Sequence, residues 1–116
     1  VDIVGPKGLA IYAVTDGTIT KMYGAESKLS GNALRLTAAD ATYFFYAHLE
    51  SFAPGITVGS VVKAGQIVGY MGASGNAGGN SHLHFEIHPG GGEAVNPYPV
   101  VKAVDACHVT EVLPQP

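Results

Sequence analysis

Apolar and polar positions alternate along this chain in short bursts, and no segment holds a 3.6-residue apolar period for a dozen residues. Residues 9–14 (LAIYAV) read as a buried strand. Thr15-Asp16-Gly17, set between apolar runs, predicts a hairpin turn, with residues 18–23 (TITKMY) as the returning strand. Ser30-Gly31-Asn32 interrupts the chain before residues 33–37 (ALRLT), where Leu34 and Leu36 share one face and Arg35 and Thr37 the other. Residues 41–48 (ATYFFYAH) carry the aromatic side chains that favour strands, and an irregular stretch closed by Ala53-Pro54-Gly55 follows. From Thr57 to Gly72 short β segments alternate with glycines, as suits strands that bend sharply in a small barrel or sandwich. Residues 73–81 form a loop with no apolar anchor, residues 83–87 a strand, and residues 89–99 a Gly- and Pro-rich tail. The expected fold is mainly β, in one domain without repeats.

Composition narrows the functional classes. A chain of 116 residues is one domain by length. Its sixteen glycines are roughly twice ordinary usage. They are not spaced at every third residue, which excludes collagen, and they punctuate β-branched runs, mostly singly but also as Gly78-Gly79 and Gly90-Gly91-Gly92, which predicts many tight turns. Charged residues make up only 13% with 47% apolar, which excludes a charge-solvated disordered chain. A net charge of −3 with no lysine or arginine cluster excludes the basic footprint of a nucleic-acid binder. The long uncharged stretch over residues 64–83 is cut by Gly, Gln, Asn and Ser and does not make a membrane-spanning helix. The first residue is Val, and no signal peptide opens the chain, so it reads as an excerpt of a longer protein. Cys107 is either a small buried apolar residue or half of a disulfide whose partner lies elsewhere.

The candidate chemistry lies in the five histidines, and above all in Ser81-His82-Leu83-His84-Phe85-Glu86-Ile87-His88. On a strand, successive side chains alternate faces, so His82, His84 and Glu86 share one face while Leu83, Phe85 and Ile87 anchor the other in the core. Residues two apart on a strand are about 6.6–6.8 Å apart. Two imidazoles at that spacing can converge on one metal ion, or one can bind while the other addresses a substrate; a solvated polar face is the bland alternative. His48 closes an aromatic strand and is either an active-site residue or a half-buried histidine. Glu86 either orients an imidazole or is a plain structural carboxylate. His88, beside Pro89-Gly90-Gly91-Gly92, reads as a solvated loop residue, and Lys63 as an exposed strand-end or turn residue.

Taken together, the phrases Val1-Asp2-Ile3, Tyr46-Ala47-His48-Leu49, Gly69-Tyr70-Met71-Gly72-Ala73-Ser74-Gly75 and Ser81-His82-Leu83-His84-Phe85-Glu86-Ile87 resemble the M23 zinc metallopeptidases. These are the lysostaphin-like or LytM-type peptidoglycan endopeptidases. Val62-Lys63-Ala64-Gly65-Gln66-Ile67-Val68-Gly69 bridges the phrases, and the resemblance runs over residues 1–101, leaving 102–116 as a C-terminal tail. It implies a mainly antiparallel β-sheet domain with a narrow groove, a LytM-like duplicated hybrid motif.

The same resemblance implies Zn2+ as cofactor, with Asp2 and His84 as metal ligands and His82 and His48 as the catalytic imidazoles. It implies hydrolysis of peptide bonds in bacterial cell-wall peptidoglycan, in the envelope or outside the cell. The family's first metal-binding histidine stands four residues before its Asp, a position ahead of Val1. The loop over residues 75–81 (GNAGGNS) lacks the Thr-Gly-Pro approach common before the His-x-His pair, so substrate choice is expected to differ. An odd cysteine in a chain expected to act where thiols are oxidised leads separately to the expectation that Cys107 pairs with a second cysteine ahead of Val1. Two rival functions stand beside the peptidase: a LytM-type module that has lost ligands and regulates other wall hydrolases, and a hybrid-barrel carrier domain, where the Val-Lys-Ala-Gly-Gln-Ile-Val-Gly phrase recurs. Asp2, His48, His82 and His84 are all in place, and a carrier has no use for an Asp with a His-x-His pair.

Overall fold

A computed structural model describes residues 2–24, 26–75 and 81–95. They form eight strands: β1 (Asp2–Val4), β2 (Ala10–Tyr12), β3 (Gly17–Tyr23), β4 (Asn32–Thr37), β5 (Tyr43–Phe52), β6 (Val61–Val62), β7 (Ile67–Met71) and β8 (His82–His88). A single 3-10 turn, Pro89–Gly91, is the helical content among the described residues. Every strand pairing is antiparallel. The main path runs β1-β8-β5-β4-β3-β6, and β7 joins β2 to β5 beside it.

Burial follows the alternation expected from the sequence. Leu83, Phe85 and Ile87 of β8 are buried while His82, His84, Glu86 and His88 between them are only partly covered. Leu34 and Leu36 of β4 are fully buried, with Arg35 and Thr37 on the other face. These side chains meet Ile11, Ile19, Tyr46, Leu49, Val62, Val68 and Met71 in one apolar cluster. Tyr46 crosses that cluster: its hydroxyl accepts the Val14 N–H at 3.1 Å and donates to the Tyr12 carbonyl at 3.3 Å, tying β5 to the end of β2. Phe85 packs edge-on against the Tyr46 ring at 5.1 Å. The core therefore lies on one side of β8, and the histidine face lies on the other.

Three local expectations are corrected. Asp16-Gly17 does not join β2 to β3 as a hairpin, because β2 pairs with β7 while β3 pairs with β4 and β6. Long-range pairing overrides the turn signal there: Ala13 exchanges backbone hydrogen bonds with Gln66 and Gly65, and the Asp16 carboxylate accepts the Ala64 N–H at 2.8 Å. Strand β5 does not stop at His48 but continues through Leu49, Ser51 and Phe52, which pair with Met71, Tyr70 and Gly69. His88 is not a loop residue; it is the last residue of β8, opposite Tyr43. Lys63 does stand in an exposed turn, 4.0 Å from Asp16 Oδ2. Cys107, His108 and the proposed tail lie outside the described residues.

Candidate active site

The site forms where β1, β8 and the middle of β5 run side by side. Asp2 and His84 are directly opposed across the β1–β8 pair, and Ala47 of β5 opposes His84 from the other side. Directly opposed residues put their Cβ atoms about 4.5–5.5 Å apart on the same face. His84 Nδ1 lies 3.0 Å from Asp2 Oδ1, and His82 Nε2 lies 3.9 Å from the same oxygen. The backbone ladder thus brings together two residues 82 positions apart in the chain.

His48 reaches this face by a break in alternation. Tyr46 points into the core, so residue 48 would point there too on a regular strand. Instead His48 takes a left-handed backbone conformation, φ 65°, one of two non-glycine residues with positive φ among those described. The register against β4 shifts at the same place, with Asn32 opposite Leu49 and Leu34 opposite Tyr46. One extra residue on β5 is a β-bulge, which re-aims a side chain. It sits where β5 leaves β8 and begins to pair with β7. The His48 ring lies 5.0 Å from that of His82 and 6.1 Å from that of His84, while the residue is 93% covered by its surroundings (7% exposed).

His48 is held on both sides. Its N–H donates to the Ser30 carbonyl at 2.9 Å, and its Nδ1–H donates to the Ser74 carbonyl at 2.7 Å. Ser74 Oγ in turn donates to the Leu49 carbonyl at 2.6 Å and accepts the Asn32 N–H at 3.1 Å. Gly31 and Gly75 let these loops touch backbone to backbone: each has positive φ, and a Cβ on either would collide with the backbone of the other's loop. With Nδ1 engaged on Ser74, the Nε2 atom of His48 is the one left for chemistry.

Hydrogen bonding also settles the face of His84. Its Nε2–H donates to Glu86 Oε2 at 2.7 Å. Burial of Glu86 raises its pKa, but hydrogen bonds from His84 and His88 and their charges outweigh that, and the carboxyl lies below its ordinary value. A neutral His84 bonded this way has a bare Nδ1, so two electron-pair donors, Nδ1 and Asp2 Oδ1, face each other at 3.0 Å. That arrangement calls for a proton or a metal cation between them. Ligand atoms about 2.0–2.2 Å from a tetrahedral ion lie about 3.3–3.5 Å apart, so a few tenths of an ångström of side-chain rotation would fit this pair to one. Among the described residues no group of three or more His, Cys, Asp and Glu side chains is arranged to hold a metal ion. Asp2 and His84 are two donors of the right chemistry and form a partial set.

Of the sequence-predicted residues, Asp2, His48, His82 and His84 converge, and Glu86 joins them as the partner of His84. The role of Ser74 was missed in the sequence, although the paired Ser30-Gly31 and Ser74-Gly75 steps are a signal that two loops approach closely. His88 was missed because the Pro and Gly residues after it read as loop. It is instead bonded to Glu86 and covered by Tyr43.

Residues 1–97 match the sequence profile of Peptidase family M23. The chain is 30% identical over 111 residues to the L-Ala–D-Glu endopeptidase of Bacillus subtilis (strain 168), covering 88% of this chain and 33% of that protein. It is 35% identical over 97 residues to the murein hydrolase activator NlpD of Escherichia coli (strain K12), covering 84% of this chain and 24% of that one. It thus spans no more than about a third of these curated relatives. Among solved structures, the catalytic domain of the antimicrobial peptidase lysostaphin from Staphylococcus simulans superposes with a TM-score of 0.76 at 30% identity, over 87% of this chain and 76% of that one.

Proposed function

The chain belongs to Peptidase family M23, and from that membership we propose that it is the catalytic domain of a zinc endopeptidase cutting peptide bonds in bacterial cell-wall peptidoglycan, in the envelope or outside the cell. The observation that carries this reading is the opposition of Asp2 Oδ1 and His84 Nδ1 at 3.0 Å beside the rings of His82 and His48.

In this reading Asp2 and His84 hold the metal, and the family's remaining histidine ligand stands four residues ahead of Asp2. A zinc ion held by these residues would supply polarisation of a scissile carbonyl and a lowered pKa for a water. The protein's own groups do the rest. His82, on the rigid β8 strand, accepts the proton released as water attacks. His48, with Nδ1–H engaged on Ser74, presents Nε2; when protonated it donates Nε2–H to the developing oxyanion and can pass that proton to the leaving amine. The bulge and the Ser74 clamp make the second imidazole a fixed group in place before substrate arrives.

A second reading is favoured by one observation, the similarity to a murein hydrolase activator: a module that stimulates a separate wall hydrolase. Intact Asp2, His48, His82 and His84 argue for catalysis. Incubating the protein, extended past Val1, with purified peptidoglycan separates the two. Chelator-sensitive appearance of new amino termini is expected. No new termini, together with stimulation of an added wall hydrolase, would overturn the endopeptidase reading in favour of the activator.

A further inference from the structure

Beside the four residues given roles above, two side chains on the same face of β8 are engaged with the site and unassigned: Glu86 and His88. The Glu86 carboxylate is bonded at both oxygens, accepting from His84 Nε2–H at 2.7 Å and from His88 Nε2–H at 2.8 Å. His88 is itself held, its Nδ1 lying 2.8 Å from the Gly92 carbonyl oxygen; donation from both ring nitrogens belongs to the imidazolium, while the neutral ring keeps its one N–H on Glu86. Its ring lies flat on that of Tyr43, 4.1 Å between centroids and 9° between planes, and the Arg35 guanidinium lies over the same tyrosine at 4.5 Å. A histidine engaged at both nitrogens and stacked on a ring has one orientation left to it.

We propose that Glu86 and His88 are positioning residues that set the proton of His84 on Nε2 and keep its Nδ1 bare toward Asp2. The inference deepens the metallopeptidase reading and rests on His84 as a ligand. The need for such a device follows from Asp2. A lone carboxylate 3.0 Å from Nδ1 draws the imidazole proton onto that atom and closes the metal position with a hydrogen bond. Glu86 makes the opposite demand from the other ring nitrogen, at the shorter distance of 2.7 Å. A carboxylate can win that competition only if it does not swing away, and His88 prevents that by taking the second oxygen. Carboxylates that accept the far N–H of a ligating histidine fix its tautomer and raise its basicity.

The test reads the tautomer directly. Long-range 1H–15N correlation spectra of the metal-free, 15N-labelled protein at alkaline pH are expected to show His84 as the Nε2–H form. Glu86→Ala should move the proton to Nδ1 and weaken zinc binding, measured against a chromogenic chelator, by about 10–100-fold. His88→Ala should shift both in the same direction by less. His88→Arg should restore them, because a guanidinium donates to the same carboxylate oxygen. If Glu86→Ala does not fold, the His88 pair carries the same readout. An unchanged His84 tautomer and zinc affinity within twofold of wild type, in a folded Glu86→Ala or His88→Ala protein, would overturn the proposal. A wild-type protein that binds no zinc would overturn the metal reading instead, while the metal-free tautomer still decides the role of Glu86.

Discussion

The imidazoles of His48 and His82 stand 5.0 Å apart, centroid to centroid, although regular alternation along β5 would have buried residue 48 in the core. The left-handed residue and the shifted register at this point turn a core-facing position into a site-facing one. Strained backbone of this kind costs on the order of 1–3 kcal/mol and persists where the surroundings over-determine it; here the Ser30 and Ser74 carbonyls do so.

The two histidines of β8 should separate on mutation. His82→Ala is expected to keep zinc and lose hydrolysis by about 10²–10⁴-fold, the usual worth of a general base. His84→Ala is expected to lose both. Elemental analysis of the purified variants alongside release of amino termini from peptidoglycan checks this. Equal loss of zinc in both variants would make the pair a two-histidine clamp and remove His82 from the catalytic role.

The contact between Gly31 and Gly75 should matter more than the positive φ of either residue. Gly55 also has positive φ, 83°, but a Cβ there meets nothing within 4 Å. Gly31→Ala should therefore cost about 1–3 kcal/mol beyond Gly55→Ala in urea denaturation. It should also lower hydrolysis in the fraction still folded, because Ser74 carries the hydrogen bond to His48. Equal stability of the two variants would mean that the loops part without consequence.

Tyr46 makes stability sensitive to alkali. Burial raises the pKa of its hydroxyl above the ordinary value of 10.0, and the hydrogen bond from Val14 N–H only partly opposes this. A raised folded pKa gives a contribution fully present below the unfolded value and lost as pH rises through the folded one. Stability should thus decline above about pH 10. Tyr46→Phe should be less stable by about 1–3 kcal/mol near neutrality, since it strands the Val14 N–H and the Tyr12 carbonyl. It should also show a shallower alkaline decline. Parallel pH profiles for the two proteins would rule Tyr46 out as the source.

Stripping the metal should stop hydrolysis and leave the sheet standing. Of the proposed ligands, His84 lies on the face of β8 opposite Leu83, Phe85 and Ile87, and Asp2 is an exposed residue of β1, so no core contact depends on either. Far-ultraviolet circular dichroism should be unchanged by chelator. The midpoint of thermal unfolding should fall by the few degrees that loss of a bound ligand brings. Collapse of the β signal on chelation would mark the metal as structural.

Strand β8 was legible from sequence because its burial repeats every second residue and because Leu83, Phe85 and Ile87 leave no doubt which face is inside. The same holds for Leu34 and Leu36. The Asp16-Gly17 hairpin was misread because a local turn signal is worth little against the ladder between β2 and β7. Strand β5 was cut short because the bulge at His48 breaks the pattern on which strands are recognised. His88 reads as loop from the Pro and Gly residues that follow it, and the stacking with Tyr43 that shows otherwise exists only across the sheet. The opposition of Asp2 and His84 likewise appears only once β1 pairs with β8. Sequence patterns carry faces and periods, while contacts between distant strands belong to the ladder.

The β1–β8 pair has a consequence for the order in which the protein comes to life. Asp2 is among the first residues of this chain, and His84 stands 82 positions later. Synthesis therefore yields one half of the centre long before the other, and joining them closes a loop that spans most of the fold, an entropic cost met only after the intervening strands have assembled. A finished but partly unfolded copy owns both Asp2 and His84 and no centre. Among the described residues β1 pairs only with β8, so losing that one pairing is enough to part Asp2 from His84, and the proposed centre forms late and is lost early.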